Sequence, residues 1–233
     1  MPLAGGARAH VFVADVESPE LAPDDRHHLE RVLRLRPGDE LTVADGAGRW
    51  RRCRFGPAVA ADGDVVVEAP PAPAITIAFA LTKGARPEWT VQKLTEVGVD
   101  RIVPFVSARS IVRWDETKTA RNAERLRRVA REAAMQSRRA FLPVVEGVAD
   151  FADLVDRRGA ALASADGGAP DLSRTCLLVG PEGGWTDHEL ALAPARVSLG
   201  PTVLRAETAA VAGAVLLAGL RAGLVSGPDS HSA

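Results

Sequence analysis

Tyrosine is absent from the 233 residues, cysteine occurs twice, and no apolar run is long enough to cross a bilayer. Cys53 and Cys176 lie far apart and form no ligand cluster. That argues against a disulfide framework or a structural zinc, and for a reducing compartment. The most apolar stretch, residues 209–220, has a helical pattern and falls short of the roughly 20 residues of a membrane span, so a buried helix is expected there. The first nine residues are Gly/Ala-rich with one arginine and lack the apolar core of a signal peptide, so a cytoplasmic location is expected. None of the histidines (His10, His27, His28, His188, His231) stands beside a Ser or Cys elbow. Neither a hydrolase triad nor a metal site is expected. Arginine outnumbers lysine 26 to 3, a bias that reports genomic base composition more than function.

What is present divides in two. The stretch APPAPA at residues 69–74 cannot continue a helix or a central strand and marks a boundary. Before it, residues 10–13, 40–43, 51–55 and 64–68 alternate as strands, with turn signals between them and a short helix at 27–35. A small β-rich domain is expected over residues 1–72. After the boundary, apolar strands at 75–81, 101–106, 177–179 and 196–199 alternate with helices at 88–97, 120–139 and 206–222. That order predicts an α/β domain over 73–226 with a parallel sheet covered by helices. Residues 159–173 are Ala/Gly-rich and receive no element. Residues 227–233 read as a disordered tail.

The net charge of −1 hides a segregated distribution: +6 over residues 107–139 and −5 over 140–233. At 100° per residue, Arg121, Arg125, Arg128 and Arg139 fall on one helical stripe, with Arg127, Arg131 and Arg138 on the next. Leu126, Val129, Ala130 and Ala133 take the opposite face. A polyanion would relieve the repulsion along the arginine stripes; a solvated face in an arginine-biased chain is the alternative. Further basic clusters are Arg31, Arg34 and Arg36, and Arg49, Arg51, Arg52 and Arg54 around Trp50. An aromatic among arginines suits phosphate contact with base stacking, although Trp50 also suits a core.

Four segments carry chemistry. Lys83 follows the first strand of the second domain, where α/β folds place ligands; Lys93 and Glu96 further on fit an i,i+3 ion pair. Ser107-Ala108-Arg109-Ser110 follows the next strand. Gly180-Pro181-Glu182-Gly183-Gly184 follows Val179 and precedes a helix start at Thr186 or Asp187. Its backbone can approach a planar heterocycle, but it lacks the lysine of a phosphate loop, and Glu182 would repel phosphate. Leu199-Gly200-Pro201-Thr202-Val203-Leu204 then leads through Arg205 into the helix of Glu207. Two glycine loops at successive strand ends imply one ligand between them.

At these segments the sequence is similar to a known family. LLVGPEGGW followed by Glu189, and VSLGPTVLRAETA, resemble the paired signature loops of the RsmE family of 16S ribosomal RNA (uracil-N3) methyltransferases, in the SPOUT superfamily. HHLERVLRLRPGDELTVADG, KGARPEWTVQKLTEVGVDRIVPF, SARSIV and REAAMQSRR match other blocks of that family, so the resemblance covers most of the chain. It implies an α/β SPOUT domain with a deep trefoil knot, preceded by a PUA-like β-barrel that binds RNA. It implies S-adenosyl-L-methionine as cofactor, a homodimer, and 16S rRNA of the small ribosomal subunit as partner, with no membrane and no metal.

Carried over, the cofactor residues are Leu81, Thr82, Val179, Gly180, Pro181, Glu182, Gly183, Gly184, Leu199, Gly200, Val203 and Leu204, with Leu199 and Leu204 enclosing the adenine. Arg205 and Glu207 are the catalytic candidates. Glu182 has a second reading, buried and holding its loop together through backbone N–H groups. Arg31, Arg34, Arg51, Arg52, Lys83, Arg109, Arg125, Arg128 and Arg139 are the RNA-binding candidates. Thr202 stands where many relatives have arginine, and Arg138, where the family often has glycine, is available to replace it. An enzyme of the same superfamily acting on transfer RNA, or a non-catalytic RNA-binding assembly factor, would use the same fold; the intact glycine loops argue against the latter.

Overall fold

The computed structural model describes residues 6–81, 86–110, 112, 114 and 116–227. Contacts divide the chain into two units, one of residues 1–70 with 131–142, the other of 71–130 with 143–233. Residues 131–142, expected in the second part, therefore belong to the first. Of the expected tail only Gly227 is described.

The first unit is built on a five-stranded mixed sheet. Strands β1 (Ala9–Phe12) and β2 (Glu40–Ala44) pair in parallel, and β3 (Arg49–Arg54) pairs antiparallel with β2. Short β4 (Ala60–Ala61) and β5 (Val66–Val67) both add to β3, so the strand expected over 64–68 is only two residues long. The β2–β3 turn is fixed by Asp45, whose Oδ1 accepts from the Ala47 and Arg49 amides at 2.7 and 3.1 Å. Alternate residues Val11, Leu41, Val43 and Cys53 point into one core with Leu29 and Phe55.

The expected 27–35 helix lies earlier. Pro23 opens α1 (Pro23–His27), where its missing N–H costs nothing, and a π-helical turn continues over His28–Val32. Arg34, at φ 55°, ends it in a left-handed conformation. His10 is buried, with Nδ1 2.8 Å from Thr42 Oγ1 and Nε2 3.0 Å from the Arg139 carbonyl. Burial pushes its pKa down to about 4.

The second unit is a seven-stranded sheet in which every pairing is parallel. Its central strands are β6 (Thr76–Ala80), β7 (Arg101–Val106) and β11 (Cys176–Val179). The path runs β12 (Arg196–Val197), β10 (Ala160–Gly168), β11, β6, β7, β8 (Val144–Val145), and β9 (Ala149–Asp150) also pairs with β7. Side chains alternate between two cores. Ile77, Phe79, Leu177 and Val179 face α2 (Arg86–Val97), α3 (Glu116–Gln136) and α6 (Ala206–Arg221). Ala78, Ala80, Cys176 and Leu178 face α4 (Phe151–Val155) and α5 (Asp187–Leu192). Both faces are covered, which is why these strands read as continuous apolar runs. Gly98 at φ 100° closes α2, and the Val99 amide bonds the Leu94 carbonyl behind it.

Two differences from expectation affect the function. Strand β10 carries the sequence AALASADGG, whose small residues have weak strand propensity; its pairing with buried β11 decides the conformation. The long helix α3 stops at Gln136, and Arg138 turns left-handed at φ 55°. That is a backbone conformation glycine adopts readily. Arg138 and Arg139 are thus off the helical stripe. No described helix is long and apolar enough to cross a membrane, and no group of described His, Cys, Asp or Glu could hold a metal.

Candidate active site

Because the strands are parallel, their carboxyl ends share one edge of the sheet, and the loops leaving β7, β10, β11 and β12 gather there. The loops leaving β11 and β12, with part of strand β10, enclose a cleft of about 410 Å³ in the second unit, within the range of ligand pockets. Val179, Gly180, Pro181, Glu182 and Gly184 form one wall. Leu199, Gly200, Val203 and Leu204 form another, with Pro201 and Thr202. Among the expected cofactor residues, Gly183 is not on the wall; its Cα packs toward Arg109. Leu81 is fully buried in the core and does not reach the cleft. Thr82 lies outside the described residues.

A third wall was not expected from the sequence. Ala163, Ser164 and Ala165, from the small-residue strand β10, line the cleft together with Trp185, Leu190, Ala206 and Ala209. Trp185 stacks on Phe105 at 6.2 Å, and its Nε1 donates to the Ala163 carbonyl at 2.9 Å. A Cβ on Gly180 would stand 2.9 Å from the Trp185 ring, so only glycine lets the loop pass that close. The signal for Trp185 was its place directly after the glycines.

Glu182 is the only charged residue among the described residues on the cleft wall. Among the described residues no cation lines it, and Glu182 would repel a phosphate. Small side chains and exposed backbone suit a planar, neutral heterocycle, and a single carboxylate suits a ligand with a positive centre.

The loop is held from outside. Glu189, not Glu182, is the buried glutamate. Its Oε2 accepts from the amide and hydroxyl of Thr186, both at 2.8 Å, while Thr186 Oγ1 accepts from the Glu189 amide, a capping box that starts α5. Its Oε1 accepts from the Ala108 amide at 2.9 Å, tying the loop after β7 to α5. Arg109 Nη1 donates to the carbonyls of Gly183 and Trp185 at 2.9 and 3.0 Å. Arg109 therefore clamps the glycine loop, a role beyond the RNA contact expected for it. Glu182 is half-exposed, and its Oε1 accepts from Arg86 Nη1 at 2.7 Å. The reading of Glu182 as a buried brace on backbone N–H groups is thereby overturned.

The two catalytic candidates start α6. Arg205 is its exposed N-cap and has no ion pair among the described residues. Glu207, in the first turn, is largely buried; its Oε1 lies 3.7 Å from Arg86 Nε, and its Oε2 has no partner. The two do not pair with each other.

The remaining basic candidates separate by what they touch. In the first unit Arg31, Arg34 and Arg52 are exposed with no partner among the described residues. Arg51 instead folds inward onto the carbonyls of Gly63, Val16 and Glu17. Trp50 is half-buried with its Nε1 on Glu68 at 2.8 Å, a core role that removes it as a stacking platform. Arg131, expected on an outward stripe, makes a two-point pair with buried Asp25 at 2.9 and 2.7 Å. Arg138 donates to the Ala7 carbonyl within the first unit. Arg139 is half-buried.

In the second unit Arg128 is exposed, while Arg125, also exposed, pairs with Glu88 at 3.0 Å. Lys83 lies outside the described residues. Lys93 and Glu96 form the expected ion pair at 2.8 Å. Burial pushes both thiols, Cys53 and Cys176, up to about 11, leaving them poor nucleophiles.

Residues 69–218 match the model of an RNA methyltransferase domain, and residues 21–56 that of an RNA methyltransferase PUA domain. Ribosomal RNA small subunit methyltransferase E of Mycobacterium bovis is 37% identical over 211 residues, 80% of each chain. The protein of that name from Bacillus subtilis is 30% identical over 215 residues, 80% of this chain and 84% of its own. Among solved structures, ribosomal RNA small subunit methyltransferase E of Neisseria gonorrhoeae, bound to S-adenosyl methionine, superposes with a TM-score of 0.74 at 26% identity, covering 88% of this chain and 94% of that one. The chain belongs to the ribosomal RNA small subunit methyltransferase E family.

Proposed function

We propose that this protein is an S-adenosylmethionine-dependent methyltransferase that modifies N3 of one uridine in 16S rRNA of the small ribosomal subunit, acting as a cytoplasmic homodimer. The observation that carries this reading is the cleft between the 180–184 and 199–204 loops, walled by backbone, small side chains and one carboxylate. When bound there, the cofactor supplies a methyl group made electrophilic by its sulfonium. The two loops would hold its adenosine part, with Leu199 and Leu204 against the ring. Ser164 and Thr202 add hydroxyls to the wall.

The rest of the chemistry falls to α6. Methylation at N3 requires that the N3 proton leave, and Glu207, whose Oε2 is buried and unpaired, is the proposed acceptor. A positioned general base contributes about 10²–10⁴-fold. Arg205, exposed beside it in sequence, would stabilise the negative charge that develops on the uracil. Arg31, Arg34 and Arg52 of the first unit and Arg125 and Arg128 of the second are the proposed phosphate contacts.

The finer fold belongs to the same proposal: the first unit as an RNA-binding PUA-like barrel, the second as the methyltransferase domain with a trefoil knot. Supporting the knot, β12 lies at the sheet edge beside β10, yet α6, which follows it, packs on β6 and β11 in the middle. The dimer is supported by α6, which has no charge between Glu207 and Arg221 and leaves Val215 51% exposed.

Titration calorimetry tests the cofactor assignment. Saturable binding of S-adenosylmethionine is expected, lost when Gly200, at φ 131°, is replaced by valine. Absence of binding to the wild type at millimolar ligand would remove the enzyme reading.

A further inference from the structure

Arg86 was not singled out in the sequence, yet its side chain joins the 180–184 loop to the start of α6. It is the first residue of α2. Its Nη1 donates to Glu182 Oε1 at 2.7 Å, and its Nε lies 3.7 Å from Glu207 Oε1. Glu182 is on the cleft wall and Glu207 opens α6. We infer that Arg86 is a positioning residue that locks the 180–184 loop to the first turn of α6 and orients Glu207; this rests on the function proposed above.

Three physical points support it. A guanidinium presents several donors in a fixed fork, so one arginine can engage two carboxylates from different elements. Arg86 carries one positive charge against the two carboxylates it touches, an excess of −1 that a cationic cofactor would balance. With Oε1 turned toward Arg86, Glu207 Oε2 is left buried without a partner. Such an orphan costs free energy in the resting protein and is understandable if substrate supplies the missing donor. The pair with Glu182 is half-exposed and adds little to stability, so the role is not that of a structural brace.

The test compares wild type, Arg86→Ala, Arg86→Lys, Glu182→Gln and the Arg86→Ala/Glu182→Gln double variant. Calorimetry measures S-adenosylmethionine affinity. Single-turnover transfer of labelled methyl to small subunits that lack the modification gives the rate at saturation. Filter binding gives RNA affinity, and thermal melts monitor folding.

In Arg86→Ala, cofactor affinity should fall roughly fivefold and the saturated rate about 10²-fold, the scale of a misplaced catalytic group, with RNA affinity and melting temperature unchanged. Lysine should recover part of the rate, since it keeps the charge but not the fork. The affinity loss on removing Arg86 should shrink in the Glu182→Gln background.

Wild-type affinity and rate in Arg86→Ala would overturn the inference. So would a loss confined to RNA affinity, which would make Arg86 a phosphate ligand, or a lowered melting temperature with affinity and saturated rate intact. If the wild type binds cofactor but transfers no methyl, the substrate reading fails, while the calorimetric cycle still decides whether Arg86 joins the 180–184 loop to the cofactor site.

Discussion

Replacing Glu189 with glutamine changes one atom and should loosen the cleft from outside. The carboxylate is buried and accepts three hydrogen bonds, two from Thr186 and one from the Ala108 amide. A glutamine of the same shape can offer an oxygen to only one side. If it keeps Thr186, its NH₂ faces the Ala108 N–H donor to donor. An orphaned buried donor costs about 1–3 kcal/mol, and the surviving bonds lose the added strength of an ionised acceptor, together about 3 kcal/mol. At about 2–4 °C per kcal/mol for a chain of this size, the melting temperature should fall by about 6–12 °C.

The loss also has a functional consequence. Ala108 precedes Arg109, whose guanidinium clamps the carbonyls of Gly183 and Trp185. Cofactor affinity should therefore weaken with stability in Glu189→Gln. Differential scanning calorimetry and cofactor titration together provide the check. A melting shift under about 2 °C would refute the reasoning, because three bonds to a buried ion are expected to cost more.

Other perturbations separate the roles assigned above. Arg109→Ala should weaken S-adenosylmethionine binding about tenfold through loss of two hydrogen bonds while leaving the salt slope of RNA binding unchanged; the reverse pattern in filter binding would return Arg109 to the RNA contacts. Gly180→Ala must displace the Trp185 ring, at a cost of about 1–3 kcal/mol in urea denaturation, with loss of cofactor binding. Arg128→Ala should flatten the dependence of log affinity on log salt by roughly one unit; an unchanged slope would mark a merely solvated residue.

His10 gives a pH signature. Its pKa is about 4 in the fold, against an ordinary 6.5. The unfolded chain therefore binds the proton first as pH falls. Its contribution to stability is complete above pH 6.5 and is lost as pH drops toward 4. Between pH 7 and pH 5 the wild type should lose about 2 kcal/mol that a His10→Gln variant does not lose, measured by urea denaturation.

The legibility of this chain followed periodicity and glycine. The strands at β6, β7 and β11 were readable because both faces are buried and the residues are β-branched or aliphatic, and Gly98 marked the end of α2. Strand β10 was not readable, because Ala, Ser and Gly carry no strand signal and only its neighbours hold it extended. The two glycine loops showed where a ligand would sit.

Sequence could not show which acids and arginines face inward. Glu182 and Glu189 lie seven positions apart, and tertiary contacts made the latter the buried one, although the spacing of Thr186 and Glu189 was a capping-box signal. Arg51, Arg109, Arg131 and Arg138 all looked like anion contacts, and each is spent on carbonyls or a carboxylate within the fold. Arg86 carried no local signal, because its partners lie about a hundred residues away.

The central claim is methyl transfer to N3 of a uridine in 16S rRNA, with Glu207 as proton acceptor. Its most direct test is nucleoside mass spectrometry of 16S rRNA after purified protein and S-adenosylmethionine are incubated with small subunits lacking the modification. One N3-methyluridine per 16S rRNA is expected with the wild type, and a rate lower by about 10²–10⁴ with Glu207→Ala. No new methylated nucleoside, or one methylated elsewhere than uracil N3, would contradict it.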